Sequence, residues 1–211
     1  MKAYRYFWVL LSLAFLISIL AFPYLPDQIA THWGPSGEVD GYSSKWFGAF
    51  FGPVMMLFVG ILFMVSPKID PRRQNYEKFK NSYSIITNAP LTLLFAVHIL
   101  MMANGLGYDV HMDAAVSLLI GALFIIIGNY MPRVRPSYFV GIRTPWTLAD
   151  DRVWTKTHRT GGLLFVIGGL VLIVAAFLPA AVKIPTLITV IILITSIPYL
   201  QSYFLFKKIR H

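Results

Sequence analysis

The chain has 211 residues, of which 57% are hydrophobic and only 13% charged; its mean hydropathy of +0.66 leaves too little polar surface to cover a water-soluble globule. There is no cysteine, which excludes disulfide frameworks, thiolate metal sites and cysteine nucleophiles. A formal net charge of +9 points to either nucleic acid or anionic lipid, and the placement of the charges decides between them.

A hydrocarbon core about 30 Å thick is crossed by a helix of roughly 20 apolar residues. In chain order the segments 7–25, 46–66, 84–105, 114–131, 162–182 and 185–206 meet that requirement, each bounded by Pro, Gly or charge. The predicted fold is an all-α integral membrane protein, a bundle of six transmembrane helices. Lys2 and Arg5 ahead of the first apolar run resemble a secretory leader, but no small-x-small cleavage pattern precedes Pro23, so the segment reads as a retained first helix.

Of the 18 Lys and Arg residues, all but Lys45 and Lys183 fall on one side of this layout. By the positive-inside rule that side is the cytoplasm, which places both termini there. Topology and the anionic inner leaflet thus account for the charge, and no direct nucleic-acid partner is expected.

The outer loop, 26–45, pauses the apolar sequence with LPDQIATHWGPSGEVDGYSSK. Pro23 and Pro26 end the first helix, Gly34-Pro35-Ser36-Gly37 predicts a turn, and Ser43-Ser44 offers a helix cap. Trp33, Tyr42 and Trp46 suit a belt at headgroup level. His32, Glu38 and Asp40, with Asp27 and with Asp109, His111 and Asp113 of the next outer loop, offer nitrogen and oxygen ligands for a zinc-like ion. Their spacing matches no compact metal motif. The simpler reading is a solvated loop in which His32 bonds a carboxylate or carbonyl and fixes the turn, so no metal or other cofactor is expected.

Within the membrane the clearest ionisable residue is His98 of the third span, which shares a helix face with Thr87. Asn104, Asn129 and Gln201 add polar groups near helix ends, and such residues commonly tie helices together. No Asp or Glu falls within a predicted span, which argues against ion-coupled transport. Pro90 and Pro198 are expected to kink their helices.

The inner loop, 132–160, lies in GNYMPRVRPSYFVGIRTPWTLADDRVWTKTHRTGG. Thr147 and Asp150 have the spacing of a capping box. Trp154 and His158 share a face with Val153 and Thr157, predicting a short amphipathic helix on the inner interface before Gly161-Gly162 turns the chain into the fifth span. The connection between the last two spans is expected at residues 183–184.

These two passages carry a resemblance. The outer-loop stretch is similar to the N-terminal domain of unknown function often found ahead of Sdp-type immunity domains, and the inner-loop stretch resembles the hallmark of the bacterial SdpI immunity and signalling family. Ser137 stands where that pattern has Asn. The resemblance implies a non-enzymatic, multi-pass protein of the bacterial cell membrane that protects a toxin-producing cell from its own secreted, membrane-active peptide. It also implies signalling, in which toxin draws a small ArsR-like winged-helix repressor to the membrane.

The resulting expectation is a single membrane domain, 1–211, made of a two-span unit, 1–66, and a four-span unit, 84–211. His32, Trp33, Glu38, Asp40 and His98 are the candidate toxin contacts. Asn129, Tyr138, Arg143, Thr144, Pro145, Trp146, Trp154 and His158 are the candidate repressor-docking or interfacial residues. Membrane lipid is the remaining partner. A metal-dependent membrane enzyme built on His32 and nearby carboxylates, and a small-solute transporter, are the alternatives.

Overall fold

The computed structural model describes residues 2–34 and 36–210. Pro35 of the expected turn, and the side chains of Lys2 and Arg210 on the expected inner rim, lie outside the described residues.

Among the described residues six helices are long and apolar enough to cross a membrane: Tyr4–Tyr24, Lys45–Ile69, Lys80–Gly105, Met112–Arg133, Asp151–Ala175 and Ala180–Ile209. The regular elements are α1 (Lys2–Ala21), β1 (Gln28–Trp33), β2 (Val39–Ser44), α2 (Lys45–Ile69), α3 (Asn75–Lys78), α4 (Lys80–Gly105), α5 (Met112–Tyr130), α6 (Pro145–Ala149), α7 (Asp151–Ala175) and α8 (Ala180–Arg210). The molecule is a multi-pass α-helical membrane protein. Its apolar exterior is broad, with Leu16, Leu20, Phe58 and Val174 among many exposed large side chains, as a lipid-facing surface requires.

The outer loop is an antiparallel hairpin rather than irregular chain. Ile29 pairs with Ser43, Ala30 with Tyr42, and His32 with Gly41, with shifts of register around His32. Gly37, at φ +89, closes the turn by donating its N–H to Gly34 O at 3.0 Å, a backbone geometry open to glycine. The Ser44 hydroxyl then caps α2 by accepting from Phe47 N, and Lys45 N donates to Asp27 O at 3.0 Å. Ile29 seats its side chain where a Cβ on Gly48 would stand, so the hairpin is bolted to the outer end of α2.

α1, α2 and α4 share an apolar core of Phe7, Leu10, Leu11, Ala14, Met56 and Leu91. Pro90 lies within an unbroken α4, and Pro185 and Pro198 within an unbroken α8. α5 and α7 meet backbone to backbone. A Cβ on Gly128 would lie 2.6 Å from Gly162 O, and one on Gly169 would lie 2.5 Å from Gly121 O. Small residues at a crossing permit this close approach in lipid.

That contact corrects the expected turn at Gly161-Gly162. Both glycines sit inside α7, which runs uninterrupted from Asp151, so the segment holding Trp154 and His158 is the cytoplasmic extension of the fifth span and not a separate interfacial helix. The short helix before this span is α6. Its cap is Thr144 with Thr147 in a reciprocal box, whereas Asp150, expected to complete a box with Thr147, is the N-cap of α7. Likewise the last connection falls at 176–179, and Lys183 lies in the first turn of α8, donating its N–H to Pro179 O.

Candidate functional site

A cavity of about 570 Å³ opens on the outer side between the hairpin and the ends of α4, α5, α7 and α8. Its apolar wall includes Val97, Val116, Ile120, Leu172 and Leu187, and its rim carries His32, Trp33, Asp40, Asp113 and Lys183. Such a mix of greasy wall and few polar groups suits an amphiphilic ligand. The bulge in β1 brings the His32 imidazole onto the Asp40 carboxylate; these side chains are 73% and 46% exposed. Opposite them Lys183 Nζ donates to Asp113 Oδ2 at 2.5 Å, with the side chains only 12% and 20% exposed. That pair ties the first turn of α5 to the first turn of α8.

Glu38 does not join the His32–Asp40 pair. Hydrogen bonding from Ser36 holds its carboxyl below the usual range, with Ser36 N donating to Oε2 at 3.1 Å. Among the described residues no group of three His, Asp or Glu side chains is placed to hold a metal ion.

His98 lies apart from this cavity, buried among α1, α2 and α4. Its Nε2 meets Ser18 Oγ at 3.1 Å, and the same hydroxyl contacts Ala49 O at 2.5 Å and Ala14 O at 3.0 Å. At 1% exposure it fastens three helices together and is out of reach of a ligand at the rim. Thr87 is likewise spent on its own helix, donating to Tyr83 O.

The inner loop folds over the cytoplasmic end of α7. Gly141, at φ +111, lets the chain turn beneath His158, since a Cβ there would stand 2.4 Å from the imidazole Nε2. Ile142 N–H donates to that Nε2 at 2.9 Å, so the ring proton sits on Nδ1 and reaches Trp154 O at 2.8 Å. The Trp154 ring stacks on His158 with centroids 4.0 Å apart, and its Nε1 donates to Val134 O. Trp154 and His158 are 1% and 0% exposed. They support the loop from within, which corrects the expectation that they touch lipid or a partner directly.

Thr144 and Thr147 are buried too, and Thr144 Oγ1 meets Ser202 Oγ of α8 at 2.9 Å. Pro145 occupies the first turn of α6, and Trp146 packs edge-on against Tyr199 and Tyr203 of α8. Asn129 is spent on Ile125 O of its own helix. Tyr138, Phe139 and Arg143 remain exposed, and Arg143 Nη1 donates to Tyr138 O at 2.6 Å. Ser137 is buried and donates to Val140 O, closing the turn that presents these residues.

The underside of the loop depends on residues that the sequence pattern did not mark. Asp70 caps the inner end of α2 and accepts from Arg72 N, from Tyr76 Oη and from Tyr138 N. Burial, with Asp70 alongside, pushes the Tyr76 hydroxyl well above its usual range. Arg72 donates to Leu148 O and Asp151, while Asn75 donates to Pro136 O. A lone acidic residue before proline in an otherwise basic stretch, Asp70-Pro71-Arg72-Arg73, was the available signal.

Residues 133–202 match the SdpI/YfhL protein family, and residues 9–57 match a domain of unknown function, DUF1648. The chain is 31% identical over 203 residues to the immunity protein SdpI of Bacillus subtilis (strain 168), covering 96% of this chain and 95% of that protein. The chain belongs to the SdpI/YfhL family. No solved structure matches it.

Within this SdpI-type protein the DUF1648 match spans α1, the hairpin and the outer half of α2, and the SdpI match spans the inner loop, α6, α7 and most of α8. Asp70 and Arg72 lie between the matched stretches and join them physically. Family membership and the six spans make it a multi-pass protein of the bacterial cell membrane.

Proposed function

We propose that this SdpI-family protein is an immunity protein, which protects the cell by holding a secreted, membrane-active toxin peptide in the outer cavity. The observation that carries the reading is the cavity itself, with aliphatic walls at membrane depth and a rim of His32, Trp33, Asp40, Asp113 and Lys183. The similar Bacillus subtilis protein, named as an immunity protein, supports it. A peptide that partitions into the outer leaflet would place apolar side chains on Val116 and Leu172 and its polar backbone at the rim.

Its second role is to signal. The exposed Tyr138, Phe139 and Arg143 on the cationic inner face form a docking surface for a cytoplasmic ArsR-like winged-helix repressor, with the buried Trp154 and His158 fixing their presentation. Toxin must favour one arrangement of the bundle over another, because equal affinity for both transmits nothing.

Cells expressing the chain should survive added Sdp-type toxin, and Val116→Trp, which fills the cavity, should lose protection at equal expression. Equal killing with and without the wild-type chain overturns immunity. Arg143→Ala should weaken recruitment of the repressor to membranes with expression intact; unchanged recruitment counts against the docking surface.

A further inference from the structure

Tyr138 is the residue at which the inner end of α2 meets the inner loop. Its N–H donates to Asp70 Oδ2 at 2.8 Å, and its carbonyl accepts from Arg143 Nη1 at 2.6 Å. Its peptide units are therefore gripped by the inner end of α2 on one side and by a docking residue on the other. Asp70 is 2% exposed, and its second oxygen holds Arg72 N at 2.7 Å. A buried carboxylate with both oxygens engaged is sensitive to small displacements, since a lost partner leaves a desolvated group unsatisfied.

The other end of α2 carries the hairpin. β2 runs into it through the Ser44 cap, Lys45 N holds Asp27 O, and Ile29 fills the space over Gly48. Thr31, His32, Trp33 and Asp40 of that hairpin line the outer cavity. α2 is one continuous helix of 25 residues, with Pro53 and Pro67 within it, about 37 Å at 1.5 Å per residue. It has a cavity wall fixed to one end and the Asp70 carboxylate at the other.

We propose that Asp70 is the positioning residue that couples the outer cavity to the inner loop. A ligand that moves the hairpin shifts α2, and Asp70 passes the shift to the Tyr138 peptide and, with Arg72, to Leu148 O and Asp151. This rests on the reading of the cavity as the toxin site. In this arrangement the two-span unit acts as the sensor, and the loop that recruits the partner answers to it through one carboxylate. Protection needs only the cavity, whereas signalling needs Asp70 as well.

The test is hydrogen exchange, read by mass spectrometry on the full chain in detergent, of the peptide containing Tyr138. Without ligand, Asp70→Asn keeps the shape but replaces an acceptor oxygen by a donor, and the Tyr138 amide should exchange about tenfold faster than in wild type; an unchanged rate overturns the clamp. With an Sdp-type toxin peptide added, wild type should change its exchange at this peptide and Asp70→Asn should not. Asp70→Glu, which retains both acceptor oxygens, should recover part of the response and carries the comparison if the Asn variant does not fold. Survival of cells challenged with the same peptide separates the two ideas. Wild-type protection without any change at Tyr138, or an equal response in Asp70→Asn, overturns the coupling and leaves immunity standing. Absence of wild-type protection overturns the cavity reading on which the coupling rests.

Discussion

His158 accepts the backbone N–H of Ile142 through its Nε2 at 2.9 Å, so a side chain of the fifth span serves as the missing partner for a peptide group in the loop above it. With Nδ1 bonded to Trp154 O and the ring lying flat on the Trp154 indole, every polar atom of the imidazole is used. His158→Ala strips the loop of this acceptor and opens a void beneath it. A loss of about 3 kcal/mol is expected in detergent unfolding, and a loss below about 1 kcal/mol would show that the loop is held elsewhere. Gly141→Ala, which drives a methyl into the ring from a left-handed backbone position, should abolish the folded protein.

The glycine contacts between α5 and α7 make a second prediction. Gly128→Leu or Gly169→Leu places a side chain where a carbonyl of the facing helix already stands. Either variant should elute as aggregate in size-exclusion chromatography. Gly107→Ala, with φ +92 but open space around it, should instead remain monodisperse, at a cost of about 1 kcal/mol for the backbone strain.

The two ion pairs at the cavity rim should respond differently to loss of a partner. His32 and Asp40 are exposed, and exposed pairs contribute about 0–1 kcal/mol, so Asp40→Asn is expected to leave thermal stability nearly unchanged. Asp113→Asn leaves the Lys183 ammonium largely buried without its counter-ion and should cost about 2 kcal/mol. Thermal melts of the two variants, run side by side, check the ordering; equal shifts would contradict it.

Asp150 gives a pH dependence. Its hydrogen bond from the Arg152 side chain, reinforced by Arg152 N, holds the carboxyl at about 2 against a usual 3.8. The folded value is the lower one, so this contribution is fully present above about pH 4 and is lost as the pH falls towards 2. Asp150→Asn still caps α7 but has no proton to gain there. Its melting temperature should therefore fall less than that of wild type between pH 4 and pH 2, and parallel curves would remove Asp150 as the source.

Much of this architecture was legible because lipid imposes a simple rule. The lengths of the apolar runs identified six spans, and the one-sided Lys and Arg oriented them. The fifth span begins earlier than the sequence suggests for a physical reason: Gly161-Gly162 in isolation reads as a turn, and only the facing Gly128 explains why two residues without side chains sit in mid-helix. The buried face of Trp154 and His158 reads as an interfacial one for the same reason, since helical periodicity defines a face but not what covers it. The rim pair His32–Asp40 was within reach of the sequence because both belong to one hairpin. The Asp70–Tyr138 and Asp113–Lys183 contacts were not, for they join residues brought together only by the packing of separate spans.

The meeting of Gly121 and Gly128 with Gly169 and Gly162 determines which parts of the molecule are free to shift. Where carbonyls rest against bare Cα atoms, no rotamer change can absorb sliding or rotation, so α5 and α7 form a stator. Motion is left to seams filled by flexible side chains, above all Leu, Met and Phe around α2. The loop over His158 is anchored to α7, and Asp70 reaches it from α2, across a seam of side chains.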